Sequence, residues 1–162
     1  MIDWISTKVA MTLAALLLLA GLVSFFLVQQ NEARHDALQS IADRAAAYID
    51  EVSRSPGEMA TSISLGPGGS LELAGLAAGE VYALTLYRSY VVAGFDGERA
   101  FAVLRTPIHT WQPRAGPYTA EQVSDLDTLH PSLTLESGAT VIVSRRSLDI
   151  DGTPTLETFA FP

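Results

Sequence analysis

The chain has 162 residues, with ten Lys or Arg against eighteen Asp or Glu and a formal net charge of −8, room for one domain and an appended element. An acidic chain lacks the clustered cations that neutralise phosphates, which argues against nucleic-acid binding. It has no Cys, which excludes disulfides, thiolate metal sites, c-type haem attachment and Cys nucleophiles.

Twenty residues from Val9 to Val28 carry no charge. At about 1.5 Å per residue they span roughly 30 Å of hydrocarbon. Asp3 and Lys8 precede this run and cancel, so the acidity lies beyond it. Its only polar side chains are Thr12 and Ser24, whose hydroxyls can bond back to a helical carbonyl. A cleaved secretory signal fits poorly: the n-region is neutral, the apolar run is too long, and Phe26-Leu27-Val28-Gln29-Gln30 offers no small-x-small exit. A plain single-pass anchor accounts for the twenty residues. A filament core helix, embedded in the membrane first and packed against identical helices later, accounts for more.

The apolar pattern continues past Gln30. Ala33, Ala37, Leu38, Ile41, Ala42, Ala45, Ala46, Ile49 and Val52 form a stripe at spacings of three and four, with the charges mostly off it. Asp50 and Arg54 stand at i, i+4. The pattern predicts one helix from about Asp3 to about Arg54, stopped by Ser55-Pro56-Gly57. About fifty residues would make a rod of roughly 75 Å, far more than a bilayer needs. The Ala-rich outer half suits close helix packing or a sheet laid on it.

From Glu58 onward short β-like runs alternate with turn residues. "EVYALTLYRSYVVAGF" alternates clearly, and "FDGE" is an Asp-Gly hairpin signal leading into "RAFAVLRT". "ESGA" joins "SLTL" to "TVIVS", and "DIDG" joins "RRSL" to "TLETFAF" in the same manner. "LGPGG" is a further turn, and "TAEQVSDLDTL" predicts one short helix. Six or seven strands at these intervals give a compact antiparallel β-sandwich or small barrel. The expected fold is α+β: residues 1–55 a core helix, residues 58–162 a β-rich globular domain. The stripe on the outer half of the helix would cover the exposed strand edges.

No catalytic set is visible, and an enzyme is not expected. His35, His109 and His130 are isolated, with no second His at metal spacing. Asp149, Asp151 and Glu157 in "DIDGTPTLE" lack the EF-hand order, and an Asp-Gly turn explains them better. No Gly-x-Ser-x-Gly elbow or phosphate loop occurs, so no cofactor is expected. "TPIHTWQPRAGPY", with Arg114, reads as a rigid surface connection or subunit contact, or else a ligand loop. Arg145-Arg146 ends a strand of an acidic domain and could bridge to a neighbour's carboxylates. The single Asn, Asn31, precedes Glu-Ala, so any glycan would be O-linked.

The run "MIDWISTKVAMTLAALLLLAGLVSFFLVQQ" and its continuation through Arg54 resemble the archaeal type IV pilin-like proteins. In that family an uninterrupted hydrophobic helix, amphipathic in its second half, precedes a compact β-rich domain. The family's precursors carry a short basic leader, so the resemblance implies a mature form. Bacterial pilins place a Glu where this chain has Ile5, and Asp3 is the nearest carboxylate. Near a helix N-terminus Asp3 is favoured by the helix dipole and by a nearby amine. The resemblance implies a structural subunit whose partners are copies of itself, in the membrane before assembly and at the cell surface afterwards. Its assembly helix would use Asp3, Val9, Leu13, Leu16, Leu17, Leu18, Gly21, Phe25, Leu27, Leu38, Ile41, Ala45 and Ile49. The alternative is a single-pass protein whose outer β domain binds a ligand or partner.

Overall fold

The computed structural model describes residues 2–66, 69–71 and 81–162, with side chains from Lys8 onward. Pro67 and Gly68 of the "LGPGG" turn, and the side chains of Asp3 and Ile5, lie outside the described residues. The first element is the helix α1, Ile2–Ser53. It ends two residues before Ser55, as the Ser-Pro-Gly stop predicts. The chain divides into two compact units, Met1–Arg34 and His35–Pro162, so the division falls inside α1.

Beyond α1 the order is β1 (Met59–Ser64), β2 (Ala83–Tyr87), β3 (Tyr90–Phe95), β4 (Glu98–Val103), β5 (Pro117–Tyr118), α2 (Ala120–Leu129), β6 (Ser132–Glu136), β7 (Thr140–Ile150) and β8 (Thr153–Phe161). The strands form two four-stranded sheets and no closed barrel. One has the order β4-β3-β2-β6, antiparallel throughout. In the other, β7 is central: β8 pairs along one side, and β1 and then the two-residue β5 pair along the other. The β5–β7 pairing is parallel, as is the isolated bridge between His109 and Phe159, two short departures from the antiparallel expectation.

Local chemistry explains the tight turns. Asp96-Gly97 and Asp151-Gly152 both take positive φ at each residue, the type I′ geometry whose twist matches paired strands. Two connections depart from the sequence pattern. The run from Val81 to Phe95 breaks into β2 and β3 at Arg88-Ser89, which carries neither Gly nor Asn. That turn is held from outside: Leu104 N–H donates to the Ser89 carbonyl at 2.9 Å and Ile108 N–H to the Arg88 carbonyl at 2.8 Å. "ESGA" is not a hairpin. β6 pairs with β2 and β7 with β1 and β8, so this turn passes the chain from one sheet to the other.

The outer half of α1 is part of the domain core. Leu38, Ile41, Ala42, Ala45, Ala46, Ile49 and Val52 are buried in one cluster with inward residues of both sheets, among them Leu84, Leu86, Val91, Val141 and Val143. The helix also reaches the end strand β4, where Gln39 Nε2 donates to the Phe101 carbonyl at 3.0 Å, covering part of an open edge. Asp50 does not pair with Arg54. Its carboxylate is buried and accepts Arg105 N–H at 3.0 Å, with Arg105 Nε at 3.9 Å.

A second cluster joins Trp111, Leu148, Phe159 and Phe161, packed by Tyr118, Val123, Leu126 and Ile150. The helix α2 closes this side. Its N-cap Thr119 accepts Gln122 N–H at 3.2 Å, and Gln122 Oε1 accepts Thr119 N–H at 3.0 Å. This reciprocal capping box is what the Thr-x-x-Gln spacing encodes.

Candidate functional site

Two places in the chain carry enough unusual chemistry to weigh as sites. The first is the inner part of α1. Val9, Leu13, Leu16, Leu17, Leu18, Phe25 and Leu27 are all more than half exposed, Leu17 and Leu18 reaching 71%. No face of this stretch is polar, so no single buried stripe could satisfy it. Beyond the neighbouring backbone of α1, an ideal Cβ on Gly21 would meet no described residue within 4 Å. Among the described residues α1 is the one helix long and apolar enough to cross a membrane, and none of that apolar stretch is buried. The remaining assembly residues behave differently. Leu38, Ile41, Ala45 and Ile49 are buried beneath the chain's own sheets, so they are core residues and are not free to pack against another copy. The physical reason is the stripe itself: apolar residues on one side only, matched by the inward faces of two sheets.

The second place is a buried polar cluster around His109. The segment before β5 is pinned to β8 by His109 N–H to Thr158 O and Ala160 N–H to His109 O, both 2.8 Å. This puts the imidazole against the Phe159 ring, centroids 5.1 Å apart and nearly parallel, and near Trp111 at 5.4 Å. Asp127 of α2 meets it. His109 Nδ1 and Asp127 Oδ1 are 2.6 Å apart, Trp111 Nε1 donates to the same oxygen at 2.8 Å, and Arg88 donates to Oδ2 at 2.9 Å. On the other side of the ring, Nε2 lies 3.5 Å from Glu157 Oε2.

Burial pushes the His109 pKa down, but hydrogen bonds and charges from Glu157 and Asp127 outweigh it and leave it above the ordinary imidazole value. Both ring nitrogens therefore face carboxylates, and neither is placed to take a proton from a nucleophile. The arrangement is a clasp joining α2, the β2–β3 turn, β8 and the segment before β5. Sequence alone left His109 isolated. The available signal was Asp127, a carboxylate one turn after Val123 and beside Leu126 on the buried side of α2.

His35 and His130 are exposed, and among the described residues no group of three His, Cys, Asp or Glu could hold a metal ion. Asp151 serves its hairpin and the N-terminus of α2, accepting Ala120 N–H at 3.2 Å. "TPIHTWQPRAGPY" contributes Trp111 and Tyr118 to the second core cluster. No protein-family model, curated protein or solved structure matches the chain.

Proposed function

We propose that the chain is the subunit of an extracellular type IV pilus-like filament of the archaeal kind, with no catalytic role. The inner half of α1 holds it in the cytoplasmic membrane before assembly. Afterwards the same side chains exchange lipid for neighbouring copies, at roughly 25 cal/mol per Å² of apolar surface kept from water. The β domain, acidic and solvated, forms the outer surface in an adhesion or surface role.

One observation carries this reading: a single helix, Ile2–Ser53, is apolar on every face in its first half and striped in its second. A simple anchor needs about twenty residues and no continuous helix beyond them. A subunit that must hold its outer domain in register with its neighbours does.

The test is a charge at the centre of the apolar run. Leu17→Glu keeps enough flanking apolar residues to insert, so the chain stays in the membrane fraction while surface filaments disappear. A second chain, with residues 9–28 replaced by an unrelated apolar span, also loses filaments. If that replacement assembles as well as the native chain, or if the native protein is found only as membrane monomers, the filament reading falls. The surviving alternative is then a membrane-anchored binding module.

A further inference from the structure

The sheet β4-β3-β2-β6 turns one face to the core and the other outward, and its register lays the outer face out in rows. The first row is apolar. Val103 of β4 stands opposite Tyr90 of β3, whose ring stacks on Tyr87 of β2 at 4.4 Å. The second row sets Phe101 opposite Val92, and Val92 opposite Thr85. Val103 is 77% exposed and Phe101 55%. Large apolar side chains gathered on one open face mark an interaction surface.

The third row is charged only at its ends. Arg99 stands opposite Gly94, Gly94 opposite Ala83, and Ala83 opposite Glu136. The two small residues floor a trough of about 530 Å³. Arg99 leans over that floor, its Cγ 4.0 Å from an ideal Cβ on Gly94. Arg99 and Glu136 are exposed, one on each end strand of the sheet, and neither makes an ion pair with a described residue. Glu98 does not answer Arg99: it alternates with Arg99 onto the inward side of β4, and its Oε2 is buried. Asp96 lies beyond the row, in the hairpin turn.

We infer that this face packs on the same face of a second copy, about a two-fold axis parallel to its strands. That rotation lays β4 over β6 and β3 over β2 of the other copy, and keeps each row over itself. Arg99 of each copy then meets Glu136 of the other, twice in the pair. The small floors face one another, and the apolar rows close together. A two-fold axis across the strands fails instead, because it reverses the rows and sets Arg99 on Val103. Two sheets facing in this way pack as the halves of a β-sandwich do, about 10 Å apart. A contact made from one patch on both sides closes at two copies. On a filament it joins one filament to another rather than lengthening either; that consequence rests on the filament reading, and the contact itself does not.

The experiment uses the full chain in detergent. Because it has no Cys, one thiol can be placed at a time. Thr85 lies beside the axis between β2 and β3, and Val103 lies away from it on the end strand β4. A short bis-maleimide linker joins Thr85→Cys chains into covalent dimers. It does not join Val103→Cys chains, although Val103 is exposed and Thr85 half-buried. Adding Arg99→Glu or Glu136→Arg to Thr85→Cys lowers linking by about tenfold, since each change sets two pairs of like charges together. Mixing the two charge variants restores it, because every contact between them is again Arg on Glu. A dimer held by α1 alone ignores these charges. Equal linking at the two thiol sites, no recovery in the mixture, or no linking because another partner covers the face each overturns the contact and leaves the filament reading standing. Native cells without filaments overturn that reading and leave the contact standing.

Discussion

The two halves of α1 are alike in secondary structure and opposite in what surrounds them. Between Val9 and Val28 Leu, Val and Phe project on every side and are exposed. Between Leu38 and Val52 the apolar residues of one stripe are buried, while Ala47 and Tyr48 lie off it and are exposed. The difference is one of both amount and pattern. A stripe needs one apolar partner, which the folded chain supplies; a fully apolar cylinder needs an apolar solvent on all sides, which it does not. The boundary between the two compact units, at Arg34, coincides with this change of pattern.

The sharpest way to break the comparison is to place one carboxylate in each half. Leu38 is fully buried, so Leu38→Asp buries an unpaired charge at a cost above about 4 kcal/mol and unfolds the β domain. Leu18→Asp leaves that domain's thermal transition, followed by near-UV circular dichroism in detergent, where it was. Equal losses would show that the halves are not separate in energetics. Truncation asks the same question more gently. Ile49→Ala removes a fully buried side chain and costs the domain about 2–5 kcal/mol, whereas Leu13→Ala shifts its denaturant midpoint by less than about 0.5 kcal/mol in equivalent stability.

Within the β domain, the aliphatic cluster beneath α1 contrasts with the cluster that α2 closes, where a charged clasp accompanies the rings. Asp127→Asn weakens bonds to His109, Trp111 and Arg88 at once and costs about 1–3 kcal/mol. The His109 pKa is raised on folding. Its contribution is therefore complete below about pH 6.5, the ordinary imidazole value, and is lost as pH rises through the folded value. Urea midpoints of the native chain should fall across that range, and those of Asp127→Asn should fall less. A native profile flat from mildly acidic to mildly alkaline pH would remove the clasp from the stability of this region.

What the sequence made readable was local. The end of α1 at the Ser-Pro-Gly stop, the two Asp-Gly hairpins and the short helix α2 each depend on residues within a few positions of one another. The misreadings are long-range. Arg88-Ser89 has no turn chemistry of its own and bends because Leu104 and Ile108 donate to its carbonyls. "ESGA" has turn chemistry, yet the chain it reverses changes sheets, because β6 is completed by β2 rather than by β7. The His109 clasp joins residues from four separate elements, and no spacing encodes such a meeting. The double role of α1 was half readable: the stripe and a sheet laid on it were both legible, but Leu38, Ile41, Ala45 and Ile49 were also assigned to contacts between copies, and no spacing shows that both sheets bury them.

Gly21 provides the smallest and most selective comparison. Beyond the neighbouring backbone of α1, a methyl group there touches no described residue within 4 Å, and Ala favours a helix over Gly by up to about 1 kcal/mol. In a helix surrounded by lipid, Gly21→Ala is thus neutral or slightly favourable, and the β domain's stability does not change. If helices of neighbouring copies approach most closely at Gly21, the same methyl group separates their backbones. Filament yield then drops and Gly21→Leu lowers it further, while the amount of each variant in the membrane stays at the native level. A Gly21→Leu chain that assembles as well as the native one would place the helix contacts on another face of α1.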